Sequence, residues 1–533
     1  MSKAKVLAVC IVWLLVLGTG AAVWRLVIAP AQQRDIAKKT AEEIAEEIKK
    51  AKEKKAAEEK KAKEKIDVTG SPGRYKNTIK FHLDSFSGYA ILRSPEFQNR
   101  LSTKGIRLKI IDDEADYTKR VEALSSGDAD MAVITIDALI KVSADMKILP
   151  PPASIVAIVD ETTGADAVVG YKKQMPNLDA LNHRDTKFVL TPNSPSETLA
   201  RVIMSRFKLD KLSTNPFVEA KDANDVFLRY QKSKPADRQV YVLWEPYVTR
   251  ITSSNPKTHI LVDSSKFAST IVDVIVVNRD FLSKKEGVAK DFVQAYLHSV
   301  YQFRNDSKLI PWVVKDANTN KSDDQPTLTA MQARKLVDGI WWKNTRENLA
   351  HMGIVSGSSL PHIEDMIINI TDILKSTGAI EQDPTRGKPK DVYFDSILRQ
   401  LRDFKPGIEN ERVRDRKLTK LTAEQWKKLE PVGTFRAPVL EFARGGNRLT
   451  EASRLRLSEL AVKLKSTRYY IIIQGHASRK GDLEANKQVA KKRAEAAEQF
   501  LIAQGIGKNR SRAVGMDPSG ETTVSFVLGQ VPY

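Results

Sequence analysis

The chain has a single cysteine in 533 residues, Cys10, and it lies in an apolar N-terminal run. No intramolecular disulfide framework can be built, and no cysteine–histidine nucleophile pair is available. Cys10 also fails as a lipid-attachment site, because it comes near the start of the apolar run with Val9 before it. Seven histidines are scattered without HExxH or other paired ligand spacing, so neither a metal nor any other cofactor is expected. GxxxxGK[ST] and GxSxG are both absent, which removes a P-loop ATPase and a serine-hydrolase elbow. The expectation is a protein that binds rather than transforms.

What is present is length and positive charge. A chain of 533 residues with 41% hydrophobic and 29% charged residues has the composition of two or three globular domains. The net charge is +20, and residues 384–533 hold 30 Lys and Arg against 17 Asp and Glu. An anionic envelope polymer fits such a surface. Nucleic acid is not expected as a partner, since no helix-turn-helix, zinc-finger or RNA-recognition signature accompanies the charge.

Lys3 and Lys5 precede the apolar run Val6–Ile28, which only Arg25 interrupts. About 20 apolar residues span a bilayer, and Trp13, Trp24 and Arg25 suit its interfaces. An uncleaved inner-membrane signal anchor over residues 1–30 is the favoured reading. A cleaved signal peptide, using the small residues Gly20 and Ala22, is the rival. Either way the bulk of the chain is expected in the periplasm. Residues 31–70 are dominated by Ala, Glu and Lys, with pairs such as Glu46–Lys50 and Glu59–Lys63 at i,i+4 spacing. They read as a solvated helical stalk that ends at TGSPG, Thr69–Gly73.

Over residues 71–404, short apolar runs (IKFHLD, RLKIID, MAVITI, SIVAIVD, AVVGY, KFVLT, QVYVLW) alternate with amphipathic segments. This is an α/β pattern, and ligands in such sheets bind at the carboxyl ends of the strands. The loops there are polar: Asp84–Tyr89, Thr135–Asp137 and Thr191–Glu197. The last opens a helix, so it reads either as an ordinary cap or as a seat for an anionic group. In sequence order, ALSSGDADMAVITIDAL, TKFVLTPNSPSETLARVIMSRFKL, VYVLWEPYVTRI and STIVDVIVVNRDFLSK resemble the periplasmic substrate-binding proteins of the nitrate, sulfonate/taurine and thiamine-precursor type. The resemblance implies a two-lobed fold closing on a small anionic or zwitterionic solute, for transport or sensing with a membrane permease or signalling partner. It places Ser85, Ser87, Gly88, Thr135, Ser194, Ser196, Trp244, Glu245 and Asp273 at the cleft. Trp244 reads equally as a core residue, and Glu245 and Asp273 equally as helix caps or lobe-to-lobe contacts.

Residues 405–434, with Pro406-Gly407 and Pro431-Val432-Gly433 at their ends, read as a linker. From 435 to 533 the order strand, loop, helix returns. PVLEFARGGNRLTEASRLRLSELAVKL and QGHASRKGDLEANKQVAKKRA resemble the OmpA-like peptidoglycan-binding domain. By that resemblance Arg493 meets a stem-peptide carboxylate and Asn486 is the helix asparagine. Ser478 stands where the family usually carries aspartate, and His476 positions the loop. The alternative to a wall-attached solute receptor is a non-catalytic tether between inner membrane and cell wall, its two-lobed domain docking a protein partner.

Overall fold

The computed structural model describes residues 75–531 apart from 320–326, 357–359, 409–410, 415–417, 444–445, 519 and 521. The expected anchor and stalk lie outside the described residues. Among those described, no helix is long and apolar enough to cross a membrane.

Fifteen strands run in chain order among the described residues: β1 (Asn77–Leu83), β2 (Ile106–Asp112), β3 (Met131–Thr135), β4 (Ala153–Thr162), β5 (Asp166–Tyr171), β6 (Lys187–Leu190), β7 (Phe217–Glu219), β8 (Gln239–Trp244), β9 (Thr258–Asp263), β10 (Val272–Asn278), β11 (Ile340–Trp342), β12 (Glu430–Thr434), β13 (Tyr470–Gly475), β14 (Ser511–Gly515) and β15 (Val524–Gln530). The first lobe is a six-stranded sheet in the order β11-β4-β10-β3-β1-β2. Its strands β3 and β4 are buried along their whole length, because helices cover both faces of the sheet. That cover is what their uninterrupted apolar runs encode. The second lobe is a five-stranded sheet, β7-β6-β8-β5-β9. The chain passes between the lobes twice, from β4 to β5 and from β9 to β10. This is the two-lobed α/β arrangement expected of a periplasmic binding protein, followed by a smaller α/β domain.

The smaller domain holds a four-stranded sheet, β12-β15-β13-β14, in which β13 is parallel to β14 and antiparallel to β15. Its first strand falls inside the segment expected to be linker. Glu430–Thr434 pairs with Val527–Gln530 of β15, around a bulge at Pro431 and Gly433. Two other described residues near or in that segment tie it down as well. Arg414 pairs with the buried Glu347 of the first lobe at 2.8 Å. Tyr470 donates to the Thr419 carbonyl at 2.7 Å.

The C-terminal domain does not hang free. One apolar core contains Leu199, Ile203 and Phe207 of the second lobe together with Phe435, Leu464 and Ile471 of the C-terminal domain. Backbone hydrogen bonds cross the same boundary, Lys208 N to Thr434 O at 3.0 Å and Arg436 N to Arg206 O at 2.7 Å. A second contact grips the β9–β10 crossing: Ala268 N donates to Ser466 O at 2.8 Å and Arg468 N to Lys266 O at 2.7 Å. The Arg468 guanidinium then reaches Glu161, the penultimate residue of β4, at 3.5 Å. Glu161 also binds the fully buried Lys343 at 2.7 Å. Burial alone would raise the Glu161 carboxyl, but the charges of Lys343 and Arg468 outweigh it and hold the group near 2.

Candidate functional site: the lobe boundary and the C-terminal loop

In the first lobe, residues at the ends of four neighbouring strands come together. Asp273 at the start of β10 lies opposite Thr135 at the end of β3 and, on its other side, opposite Asp160 of β4. Asp160 in turn faces Trp342 of β11. Directly opposed residues project to the same face of a sheet, so Thr135, Asp273, Asp160 and Trp342 form a row. Gly88 stands above it: a Cβ there would lie 2.8 Å from Asp160 Oδ2 and 2.3 Å from Phe86 Cε1. Its carbonyl accepts from Trp342 Nε1 at 2.7 Å, and the Tyr89 hydroxyl donates to Asp273. Facing the row, Asp166 at the start of β5 is paired with Trp244 at the end of β8. Helix α1 (Ile136–Asp145) follows β3 directly, and helix α2 (Pro195–Arg206) opens the second-lobe loop. The lobes touch there, the Thr198 hydroxyl donating to Asp137.

Of the residues expected at the cleft, Ser87, Gly88, Thr135 and Asp273 lie on the first-lobe side. Ser85 sits on the same loop but is exposed. Ser194, Ser196, Trp244 and Glu245 lie on the second-lobe side. The anion seat expected at Ser194 and Ser196 falls at the opening of α2. The Ser194 hydroxyl donates to the Thr191 carbonyl at 2.6 Å. The Ser196 hydroxyl is buried without a partner, and the Asn193 N–H at the mouth of α2 is taken at 2.6 Å by Glu197. Glu245, just before the helix Tyr247–Ser254, accepts from Thr249 N at 3.1 Å and Thr249 Oγ1 at 2.7 Å in its first turn. Trp244 is half-buried against the second-lobe core.

Sequence reading missed Asp160 and Asp166 altogether and mentioned Asp137 only as part of a loop. Burial pushes Asp137 up to about 6 and Asp166 up to about 7, the latter with Asp137's charge adding to it. Asp273 rises to about 7, and Asp160 is pushed well up by burial and by Asp273 beside it. The sequence signal was available: IVDET ends a wholly apolar run in acids, where a strand reaches a lobe boundary. A separate cavity of about 520 Å³, which none of the row's residues lines, lies by β6 and β7. Lys141 of the first lobe lines it, with Asn193, Glu197, Arg201, Asn215 and Glu219 of the second. Its charges are balanced, since Arg201 binds Glu197 at 2.7 Å and Lys141 binds Asp145 at 3.1 Å.

In the C-terminal domain, helix α3 (Glu451–Lys465) precedes β13, and helix α4 (Leu483–Ala503) packs over β13 and β14. The fit is close: a Cβ on Gly475 would lie 1.8 Å from the Ala490 carbonyl oxygen. Ser478 accepts from Lys480 N at 3.0 Å within the loop. Asn486 donates back to the Lys480 carbonyl at 2.8 Å, so it braces the loop. His476 is structural here too, bonding Ser525 Oγ at 2.9 Å. Arg493 lies over the Phe442 ring at 5.2 Å and donates to the Gly446 carbonyl at 3.2 Å. Partial burial lowers its affinity for the proton, and among the described residues no carboxylate pairs with it. A half-buried guanidinium held by carbonyls keeps its charge and can take an anion as a partner.

Residues 441–521 match the OmpA family. The match spans the loop 476–481, Asn486 and Arg493. No curated protein matches the chain. Solved structures similar to it include the ligand-binding component of an ABC-type import system from Staphylococcus aureus with zinc bound, at 15% identity and a TM-score of 0.44, covering 61% of this chain and 99% of that one. The alkanesulfonate-binding protein of Xanthomonas axonopodis pv. citri is similar at 10% identity and a TM-score of 0.44, covering 60% of this chain and 99% of that one. The periplasmic aliphatic sulphonate-binding protein of Escherichia coli is similar at 11% identity and 0.44, over 60% and 99%.

Proposed function

We propose that this chain is a non-catalytic, solute-binding receptor of the periplasm, fixed to peptidoglycan through its OmpA-family domain and to the inner membrane through residues 6–28. The observation that carries the reading is Arg493, half-buried, without a carboxylate partner among the described residues, and set beside the glycine loop of a domain that matches that family. A stem-peptide carboxylate supplies the missing charge. The cavity between Lys141 and the β6–β7 edge gives the two lobes a place for a small polar solute. Capture near the wall then serves a membrane permease or a signalling partner. Native mass spectrometry of the full chain, released gently from its source, tests this: a carried small molecule supports the receptor.

A specific observation favours the tether as the second reading. Ser466 and Arg468 hold the β9–β10 crossing, and Arg468 holds Glu161 at the foot of the other. A hinge gripped at both strands resists opening. Small-angle scattering separates the two: solute-dependent compaction belongs to the receptor, and an invariant profile across a solute panel belongs to the tether.

A further inference from the structure

The cavity of about 520 Å³ is lined by none of the residues expected at the cleft. Its volume falls within the roughly 300–1,000 Å³ typical of small-molecule sites. Lys141 lines it from α1 of the first lobe, and Glu197, Arg201 and Glu219 line it from the second, so two cations face two carboxylates. These four are not equally occupied. Glu197 is taken on both oxygens, by Arg201 Nε at 2.7 Å and by the Asn193 N–H at 2.6 Å. Arg201 gives Nη1 to the Thr377 carbonyl at 3.0 Å, and its guanidinium lies 4.8 Å over the Phe217 ring. Its Nη2 has no acceptor among the described residues. Lys141 donates to the Asn193 side chain and to Asp145, which leaves one of the three protons of an ammonium group. The Asp145 side chain is 49% exposed against 15% for Lys141, so water screens that pair. Glu219 is the opposite case. Its exposed carboxylate lines the cavity and meets no cation among the described residues.

We propose that this cavity takes a small amino acid, its carboxylate between Lys141 Nζ and Arg201 Nη2 and its ammonium group on Glu219. This rests on the solute-binding reading and narrows it to a ligand that carries both charges. A net anion would add its charge beside Glu197 and Glu219, and a net cation beside Lys141 and Arg201. A zwitterion adds none and meets both signs. Two uncommitted donor groups match the two oxygens of a carboxylate, whereas a sulfonate would leave its third oxygen without one. Lys141 belongs to the first lobe and Arg201 and Glu219 to the second, so the same contacts favour the closed state.

The test is a thermal-shift and calorimetric titration of the full chain, as wild type, Glu219→Gln and Lys141→Gln. The probes are glycine, β-alanine and 4-aminobutanoate, with butanoate and butylamine as their half-molecules and taurine as the sulfonate counterpart. At least one amino acid is expected to raise the melting temperature of wild type. It should bind at least about tenfold more tightly than butanoate, butylamine or taurine. Glu219→Gln, an exposed substitution, is expected to melt as wild type does without ligand. It should bind that amino acid about tenfold more weakly and leave butanoate unchanged. Lys141→Gln should weaken both, and if it does not fold Glu219→Gln decides alone. Butanoate, butylamine or taurine binding as tightly as the best amino acid overturns the assignment of charge. Equal amino-acid binding by wild type and Glu219→Gln overturns the seat, and either result leaves a solute receptor standing. Silence with every probe overturns the amino acid, and the receptor falls with it only if native mass spectrometry of the same preparation finds no carried molecule.

Discussion

Replacing Asp166 by Asn should stabilise the protein, and by an amount that depends on pH in a defined way. Burial, reinforced by the charge of Asp137, raises the Asp166 carboxyl from its ordinary 3.8 to about 7. A carboxyl raised in the folded state is protonated there while the unfolded chain has already lost its proton, so folding costs more as pH rises through that interval. Every pH unit of that interval costs about 1.4 kcal/mol, so the full penalty approaches about 4 kcal/mol above pH 7. Asn has nearly the same shape and never ionises, and it removes that penalty. The difference between variant and wild type should be near zero at pH 3.8, grow steadily to pH 7 and level off above it. Urea unfolding of both proteins at each pH, followed by circular dichroism, gives that profile. A difference that is flat across the range, or that shrinks as pH rises, would refute the argument that Asp166 is buried without a cation.

Glu161 runs the other way. Its folded carboxyl is depressed to about 2 from 4.5, so its contribution is intact above pH 4.5 and lost as pH falls towards 2. Arg468→Ala should cost about 1–3 kcal/mol by taking one cation from that buried carboxylate, read by urea midpoint; an unchanged midpoint would show that Lys343 suffices alone. A chain ending at 404 should lose cooperative melting, because it strips the cover from Phe207 and Phe267, which alone are worth about 3–6 kcal/mol. A sharp melt like that of the full chain would show that the shared core is dispensable. Gly475→Ala should destabilise the C-terminal domain by at least about 1–3 kcal/mol, since its Cβ must push α4 away from β13. Hydrogen exchange confined to that domain would report it.

Much of the fold was legible because the lobes bury their central strands on both faces, and runs such as MAVIT and ASIVAIVDET can do little else. The loops at the strand ends were likewise visible, and several of the residues named there do meet at the boundary. What sequence could not supply was pairing at long range. Glu430–Thr434 carries the Pro and Gly of a linker and becomes a strand only because β15 lies beside it. Adjacent acids in β4 part company for the same reason. Asp160 and Glu161 point to opposite faces. Glu161 meets Lys343, far along the chain, while Asp160 meets Asp273. At the opening of α2, Glu197 folds back onto Asn193 N, a local pairing that the motif itself contained and its reading as an anion seat did not anticipate.

Attachment to the wall is the claim on which the rest of the account stands, and co-sedimentation of the full chain with purified murein tests it most directly. Wild type should be retained and should be displaced by a diaminopimelate-containing stem peptide. Arg493→Ala should bind about 10–100-fold more weakly, the worth of one charge-assisted hydrogen-bonded pair. Ser478→Asp, which supplies a charge for the peptide's ammonium group, should bind more tightly. Equal retention of wild type and Arg493→Ala, abolished in both by salt and indifferent to the stem peptide, would reduce the interaction to surface charge and contradict the account.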